Sequence, residues 1–417
     1  MKYKIFSINL TSLYGIQAVL TLFPILIIPL LVSILGLSGY ANYVLIAALF
    51  GMFETVVAYS FRTTATREAS GINQATLMSE LISSVLSIRL LLSIFALLAF
   101  YSSYVVIYSS RDMGISDSAL CLALLIRLLG FILSSEWYFQ ATQNTSIYLL
   151  ITLFSRVFFL VSLFLSIEDS LAYVLLMNSL MSLLVGLGAL TYILVFTENT
   201  LVKPNVCHMK NRFIKGTDLF LSSLGVYFYT NINTVFVSSF LSAELVAVYS
   251  VAEKVYRGAS SLFAPINKAF YPVLLKMRKT NFNNFSRLSV GILTVQIMLA
   301  VTMSISLDYF NVEILSYFLS GEKINNDAIG FFSHFVYLIV LFVASAFTTY
   351  ILIILNLDKK IKNITAIFGV VNVVTVPLVL STLPFIYMFW AVFFVMLMVA
   401  LSQVILSFVH LRKGFGG

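Results

Sequence analysis

Charge is what this chain has least of. Asp, Glu, Lys and Arg together make up 10% of its 417 residues, where soluble domains carry about 25%. With 60% hydrophobic residues and a mean hydropathy of +1.01, that scarcity excludes an ordinary soluble domain and predicts an integral membrane protein. Cysteine is nearly absent. Cys121 lies in an apolar run and Cys207 in a basic loop, so neither a disulfide framework nor a cysteine metal site is expected. His208, His334 and His410 are scattered, and neither a metal nor a cofactor is expected. The chain lacks a glycine-rich phosphate loop, which argues against direct use of ATP. It also lacks a long polar tract that would fold outside the membrane. The connection from Asp308 to Asp327 is too short for a sizeable outer catalytic domain, so an enzyme is not expected. The net charge of +8 accompanies no nucleic-acid-binding module, and no nucleic-acid partner is expected.

What is there is hydrocarbon-length runs. The first follows Met1-Lys-Tyr-Lys4 and continues to Leu35, beyond the roughly 7–15 residues of a signal-peptide apolar region. It is therefore expected as a retained span. Windows of about 20 apolar residues predict about twelve spans in all. The first six run near 9–34, 41–61, 81–106, 118–139, 146–166 and 171–196; the second six near 217–239, 246–274, 287–307, 328–355, 362–382 and 386–410. A polar stretch between the sets divides the chain into an N-terminal lobe (1–196), a cytoplasmic linker (197–216) and a C-terminal lobe (217–417). The fold class expected is all-α integral membrane, with two pseudo-symmetric six-helix lobes around a central cationic cavity. Internal similarity is faint: Leu37-Ser-Gly-Tyr before Tyr43 echoes Leu241-Ser-Ala-Glu before Tyr249.

Lys and Arg gather on one set of connections. Those hold Lys2, Lys4, Arg62, Arg67, the basic residues of 203–215 and 276–287, Lys359, Lys360, Lys362, Arg412 and Lys413. The opposite set holds only Arg111 and Lys323. By the positive-inside rule both termini are expected to be cytoplasmic, which requires an even number of spans.

Six basic residues belong to neither set: Arg89, Arg127, Arg156, Lys254, Arg257 and Lys268. An arginine facing lipid at mid-span costs about 3 kcal/mol or more. Arg127 and Arg156 are therefore expected to face a water-filled cavity between the lobes, the other reading being a structural ion pair; for Arg89 the two readings are balanced. Arg257, Ser261, Ala264 and Lys268 fall at i, i+4, i+7 and i+11, one face of a helix, which Lys254 extends. Glu253 stands four residues before Arg257, so a local ion pair is the competing reading. Tyr229, Asn231 and Asn233 offer hydrogen bonds at mid-depth, either to a sugar or to neighbouring helices. The candidate substrate-binding set is thus Arg127, Arg156, Lys254, Arg257, Lys268, Tyr229, Asn231 and Asn233, and Glu54 and Glu253 are candidate ion carriers. Pro24, Pro29, Pro265, Pro272 and Pro377 are expected to kink their spans. Trp137 and Trp390, near predicted boundaries, are expected as interfacial anchors.

Several segments together resemble a known family. These are Tyr229-Thr-Asn-Ile-Asn233, Tyr249-Ser-Val-Ala-Glu-Lys-Val-Tyr-Arg257, Pro265 and Phe270-Tyr-Pro272, with Ala65-Thr-Arg-Glu68 and Glu136-Trp-Tyr-Phe-Gln140 in the first half. They resemble Wzx-type O-antigen and polysaccharide repeat-unit flippases of the multidrug/oligosaccharidyl-lipid/polysaccharide exporter superfamily. Ser135 stands where many members carry a proline. The resemblance implies translocation of an undecaprenyl-diphosphate-linked oligosaccharide from the cytoplasmic to the periplasmic leaflet of a bacterial inner membrane, by alternating access coupled to an ion gradient. It implies that lipid-linked oligosaccharide and membrane lipid as partners, the pathway's polymerase and chain-length regulator as candidate protein partners, and a monomer. Two alternatives are a multidrug-type ion-coupled exporter and a membrane-embedded polysaccharide polymerase.

Overall fold

The computed structural model of the chain describes residues 2–72, 74–108, 114–165, 170–319 and 326–413. Arg111 and Lys323, the two basic residues expected on the opposite side, lie outside the described residues. Among the described residues there is no strand, and eighteen helices follow one another. Hydrocarbon offers no partner for a backbone N–H or C=O, so a chain this apolar satisfies its backbone within helices. It is a multi-pass membrane protein, as expected.

Nine stretches of the described residues are long and apolar enough to cross a membrane. The first, Tyr14–Ala69, has 56 residues, far beyond the roughly 20 that one crossing needs. It takes in the first two expected spans, and Gly36, with φ +64, interrupts the helix between them in a conformation that glycine alone adopts freely. Two expected spans, near 217–239 and 246–274, fall outside the nine because they are polar. Both are helical but broken.

The helices form two compact units. The first takes residues up to Phe23 together with Ile34–Ser223. It holds most of α1 (Lys2–Leu26) and α2 (Ile28–Ala58), then α3 (Phe61–Ala69), α4 (Ala75–Tyr108), α5 (Asp117–Leu133), α6 (Glu136–Ala141), α7 (Thr145–Phe164), α8 (Leu171–Val195) and the start of α9 (Val206–Thr230). The tightest crossing is α5 on α8. A Cβ built on Gly186 would lie 2.2 Å from the Gly130 carbonyl oxygen. These two backbones touch, as small residues permit where helices pack in lipid.

The chain leaves α5 at Ser134 and Ser135 and turns into the short α6. The carbonyl end of α5 needs donors, and Arg89 of α4 supplies them: its Nη1 donates to the carbonyls of Phe131 and Ile132, each at 3.4 Å, and to that of Ser134. The turn carries Trp137 inward. It is 1% exposed and sits in the core beside Tyr138 and Phe139. Trp137 is therefore not an interfacial anchor: the break before α6 redirects it from the boundary into the packing.

Residues 197–216, read as a linker from their polarity, are tied to the first unit. The N–H of Thr200 donates to Ser79 Oγ at 3.0 Å and that of Val202 to Ser83 Oγ at 2.9 Å. Further along, Arg212 pairs with Glu68 at 2.8 Å, His208 Nδ1 lies 2.5 Å from Glu80, and Tyr59 stacks on Phe213 and Phe220.

The second unit takes Pro24–Ser33 and Leu224–Gly417. After α9 come α10 (Ile232–Phe240), α11 (Ala243–Ser261), α12 (Ala264–Thr280), α13 (Phe282–Tyr309), α14 (Asn311–Phe318), α15 (Asn326–Phe335), α16 (Leu338–Ile354), α17 (Asp358–Thr382) and α18 (Tyr387–Lys413). α16 packs on α13 and α18, α17 on α10 and α18, and α11 on α15 and α16. Buried Tyr249 and Tyr256 meet Phe335 edge-on.

The expected eighth span is not one uninterrupted helix. Leu262 and Phe263 bond back only three residues, to Ala259 and Ser260, a tighter turn than the α-helix's i−4 pattern. Pro265 has no N–H to give the Ser261 carbonyl. Arg257 and Ser261 therefore lie on α11 and Ala264 and Lys268 on α12, on either side of the turn at Leu262 and Phe263.

Candidate functional site: an arginine cavity in the first unit

Within the first unit a cavity of about 390 Å³ opens among helices α1 to α8. Arg62, Arg89, Arg127 and Arg156 line it, with Glu54 and Glu136 as the only carboxylates among the described residues of its wall. Guanidinium is charged at any physiological pH. Four cations thus face two anions.

Both carboxylates are committed. Arg127 Nε donates to Glu54 Oε1 at 2.6 Å and Nη2 reaches Oε2 at 3.4 Å. The third nitrogen of Arg127, Nη1, donates to Asn178 Oδ1, and Asn178 Nδ2 donates to the Tyr43 hydroxyl at 3.1 Å. Each partner in the Arg127–Glu54 pair is 18% exposed, so the pair is shielded enough that each charge depends on the other. Glu136 pairs with Arg62 at 2.8 Å and accepts from Gln140 at 2.7 Å. Arg62 is largely exposed.

Among the described residues, Arg89 and Arg156 have no carboxylate partner. Arg89 is 5% exposed and spends Nη1 on the carbonyl end of α5, leaving its Nε unbonded. Arg156 Nη1 meets Met181 Sδ at 2.9 Å and its guanidinium lies 5.1 Å from the centre of the Phe23 ring, again with Nε unbonded. Trp137 Nε1, on the same wall, is buried without an acceptor. Of the expected site residues the cavity brings together Arg127, Arg156 and Glu54. Arg89, Arg62, Glu136 and Trp137 join them, and none of the four stood in the expected set. One signal for Arg89 was legible: its i±3 and i±4 neighbours are Leu86, Leu92, Val85 and Ser93, so a charge there has to find partners on another helix.

The second-unit candidates are placed differently. Glu253 Oε1 accepts from Arg257 Nε and Nη2 at 3.1 and 2.8 Å, and its Oε2 accepts from Thr234 Oγ1 at 2.7 Å. Both Glu54 and Glu253 are thus clamped by arginine. Asn233 Oδ1 accepts from Asn372 Nδ2 at 2.6 Å, and the same nitrogen donates to the Phe228 carbonyl at 2.9 Å. Tyr229 is buried against Val395 and Val399, and Asn231 donates to its neighbour Thr230 at 2.9 Å. Asn233 and Tyr229 therefore join helices within the unit. Lys254 is partly exposed on α11, and the side chain of Lys268 lies outside the described residues. Among the described residues no group of three His, Cys, Asp or Glu side chains is placed to hold a metal.

Comparison with known structures places the fold. The inward-facing conformation of a multidrug resistance MATE family transporter of the MOP superfamily aligns with a TM-score of 0.69 at 14% identity, covering 94% of each chain. The lipid II flippase MurJ, in an inward closed conformation, aligns with a TM-score of 0.70 at 13% identity, covering 97% of this chain and 89% of that one. These transporters share the fold. The family model described as "Polysaccharide biosynthesis protein" matches residues 8–278, well over half of the sequence, and the chain belongs to that family. A curated relative from Shigella dysenteriae, named "Putative O-antigen transporter", is 24% identical over 288 residues, 66% of this chain and 69% of its own.

Proposed function

We propose that this chain is a flippase for lipid-linked polysaccharide repeat units. In this reading it sits in a bacterial inner membrane with both termini cytoplasmic and works as a monomer. It moves an undecaprenyl-diphosphate-linked oligosaccharide from the cytoplasmic to the periplasmic leaflet by alternating access, driven by an ion gradient. Within the polysaccharide biosynthesis family, the observation that carries the proposal is the buried excess of positive charge, four guanidiniums against two carboxylates around one cavity. An anionic headgroup crossing a bilayer needs fixed cations to replace its water, whereas a cationic drug would be repelled. No catalytic step is required, since the substrate leaves chemically unchanged.

Arg156 is the expected substrate residue with a donor to spare. Arg127, Arg257, Lys254 and Lys268 contribute positive charge, Tyr229, Asn231 and Asn233 polar contacts, and Glu54 and Glu253 act as ion carriers by exchanging an arginine for a proton or cation. The pathway's polymerase and chain-length regulator are its protein partners.

A strain lacking the gene tests this directly. Lipid-linked repeat units should accumulate on the cytoplasmic leaflet and surface polysaccharide should fall below a tenth of the parental level. Full surface polysaccharide without accumulation would sink the reading. In the same strain, Arg257→Ala should restore less surface polysaccharide than the wild-type gene at equal protein abundance, measured by immunoblot of both.

A further inference from the structure

We infer that α17 and α18 form a seat for one membrane phospholipid, an ethanolamine lipid of the leaflet nearer their connection. An apolar groove of about 360 Å³ runs between the two helices, walled by Val371, Leu383, Trp390, Phe394 and Met398 among others. Both helices are long and apolar enough to cross a membrane, so the connection at 383–386 marks one surface of the hydrocarbon, and the groove begins there. From Tyr387 to Met398 the helix α18 rises about 16 Å, close to half of the roughly 30 Å hydrocarbon core. A hydrocarbon chain one leaflet long matches that depth. The wall does not suit a second helix. Helices in lipid approach one another through small residues, as Gly130 and Gly186 do in the first unit, whereas the described wall here is bulky apart from Thr375 and Ala391.

The rim supplies the polar end. On α15, the ring of exposed His334 lies 5.4 Å from that of Phe389 and 6.5 Å from that of Trp390, centre to centre. Its Nδ1 is 2.5 Å from the Gly330 carbonyl. A carbonyl can only accept, so Nδ1 carries the hydrogen and Nε2 of the neutral ring is left as an acceptor. Trp390 is 43% exposed, and its indole N–H can only donate. An acceptor and a donor thus stand together at the mouth of the groove. An ethanolamine phospholipid complements both, its ammonium donating to His334 and its phosphate accepting from Trp390. Charge favours the same lipid. The connections on this side of the second unit hold Glu244, Asp308, Glu313 and Asp327 and, among the described residues, no Lys or Arg. An ammonium group meets a negative field there, while phosphatidylglycerol or a polyprenyl phosphate meets no fixed cation. The seat is therefore separate from any anionic transport substrate and does not rest on the flippase reading.

The test is native mass spectrometry of the full-length protein in detergent, offered equal amounts of phosphatidylethanolamine, phosphatidylglycerol and a polyprenyl phosphate. Phosphatidylethanolamine should stay bound with about tenfold preference over phosphatidylglycerol, the worth of one hydrogen bond to a charged group. Ala391→Trp, which fills the groove, should lower the retention of phosphatidylethanolamine. His334→Leu should abolish the preference, and His334→Gln, which keeps an acceptor, should preserve it. The two His334 variants leave the groove itself unfilled, so they test the seat even if Ala391→Trp fails to fold. Equal retention of the two phospholipids, or a preference unchanged by His334→Leu, overturns the seat. So does displacement of the phospholipid by the polyprenyl phosphate, which would give the groove to that chain, or a protein dimer that forms as lipid is removed, which would give it to a second copy.

Discussion

Replacing Glu54 with leucine is expected to destabilise the first unit by about 3 kcal/mol, the usual consequence of removing one partner from a buried ion pair. Arg127 would stay where Asn178 holds it, its charge uncompensated in a site where each partner is only 18% exposed. The detergent-solubilised protein should unfold about 5–10 °C lower, given the size of the unit. The second half of the prediction is the more discriminating. The double variant Glu54→Leu/Arg127→Met should recover most of the loss, because replacing both members of such a pair by apolar groups is close to neutral. A double-mutant cycle measures the coupling. Additive losses would show that Arg127 and Glu54 do not depend on each other.

Gly186→Ala is expected to be more damaging still, although it adds a single carbon. The new Cβ would sit 2.2 Å from the Gly130 carbonyl oxygen, and neither backbone can move without separating α5 from α8. Overpacking a core costs about 1–3 kcal/mol when side chains can adjust, and here the obstruction is main chain. We expect little monodisperse protein by size-exclusion chromatography. Gly188→Ala, two residues along the same helix, is the control. Its Cβ would meet only Ile151 Cγ2, at 2.9 Å, the end of a side chain that can turn aside, so this variant should purify like the parent. Equal yields from the two variants would refute the backbone contact between α5 and α8.

The fold was legible because composition left so few options. A chain with this little charge is helical wherever it meets lipid, and short connections limit how the helices follow one another. The seventh and eighth spans were legible from length but not as continuous helices; Asn231 and Pro265 break them, and only the proline announces itself. The candidate site was half legible. Arg127 and Arg156 stood out as charges inside apolar runs, which is a one-dimensional signal. Their partners did not, because Glu54 lies 73 residues from Arg127, and no local spacing connects them. Glu253 and Arg257 were recoverable for the opposite reason, being four residues apart on one helix. Trp137 was misplaced because its position in sequence is near a boundary, and only the turn at Ser134 and Ser135 shows which way the chain goes next. Tyr229 and Asn233 were legible as groups that bond either a sugar or a neighbouring helix; the structure adds the helix contacts, Tyr229 against Val395 and Val399 and Asn233 to Asn372, which polarity alone does not locate.

The assignment of Pro24–Ser33 to the second unit bears on how the protein is made. The chain changes unit three times, after Phe23, after Ser33 and after Ser223. Ten residues synthesised almost at the start therefore wait for partners that emerge only with the last two hundred. The first unit can assemble during synthesis, but the second cannot close until its early piece is recruited. A gene divided at one point, wherever the cut falls, would leave one fragment short of its own core or carrying a segment of the other. Coexpressed halves should reconstitute only when the fragment bearing Pro24–Ser33 is inserted in the same membrane at the same time, so the junction of α1 and α2 ties the assembly of the second unit to the first residues made.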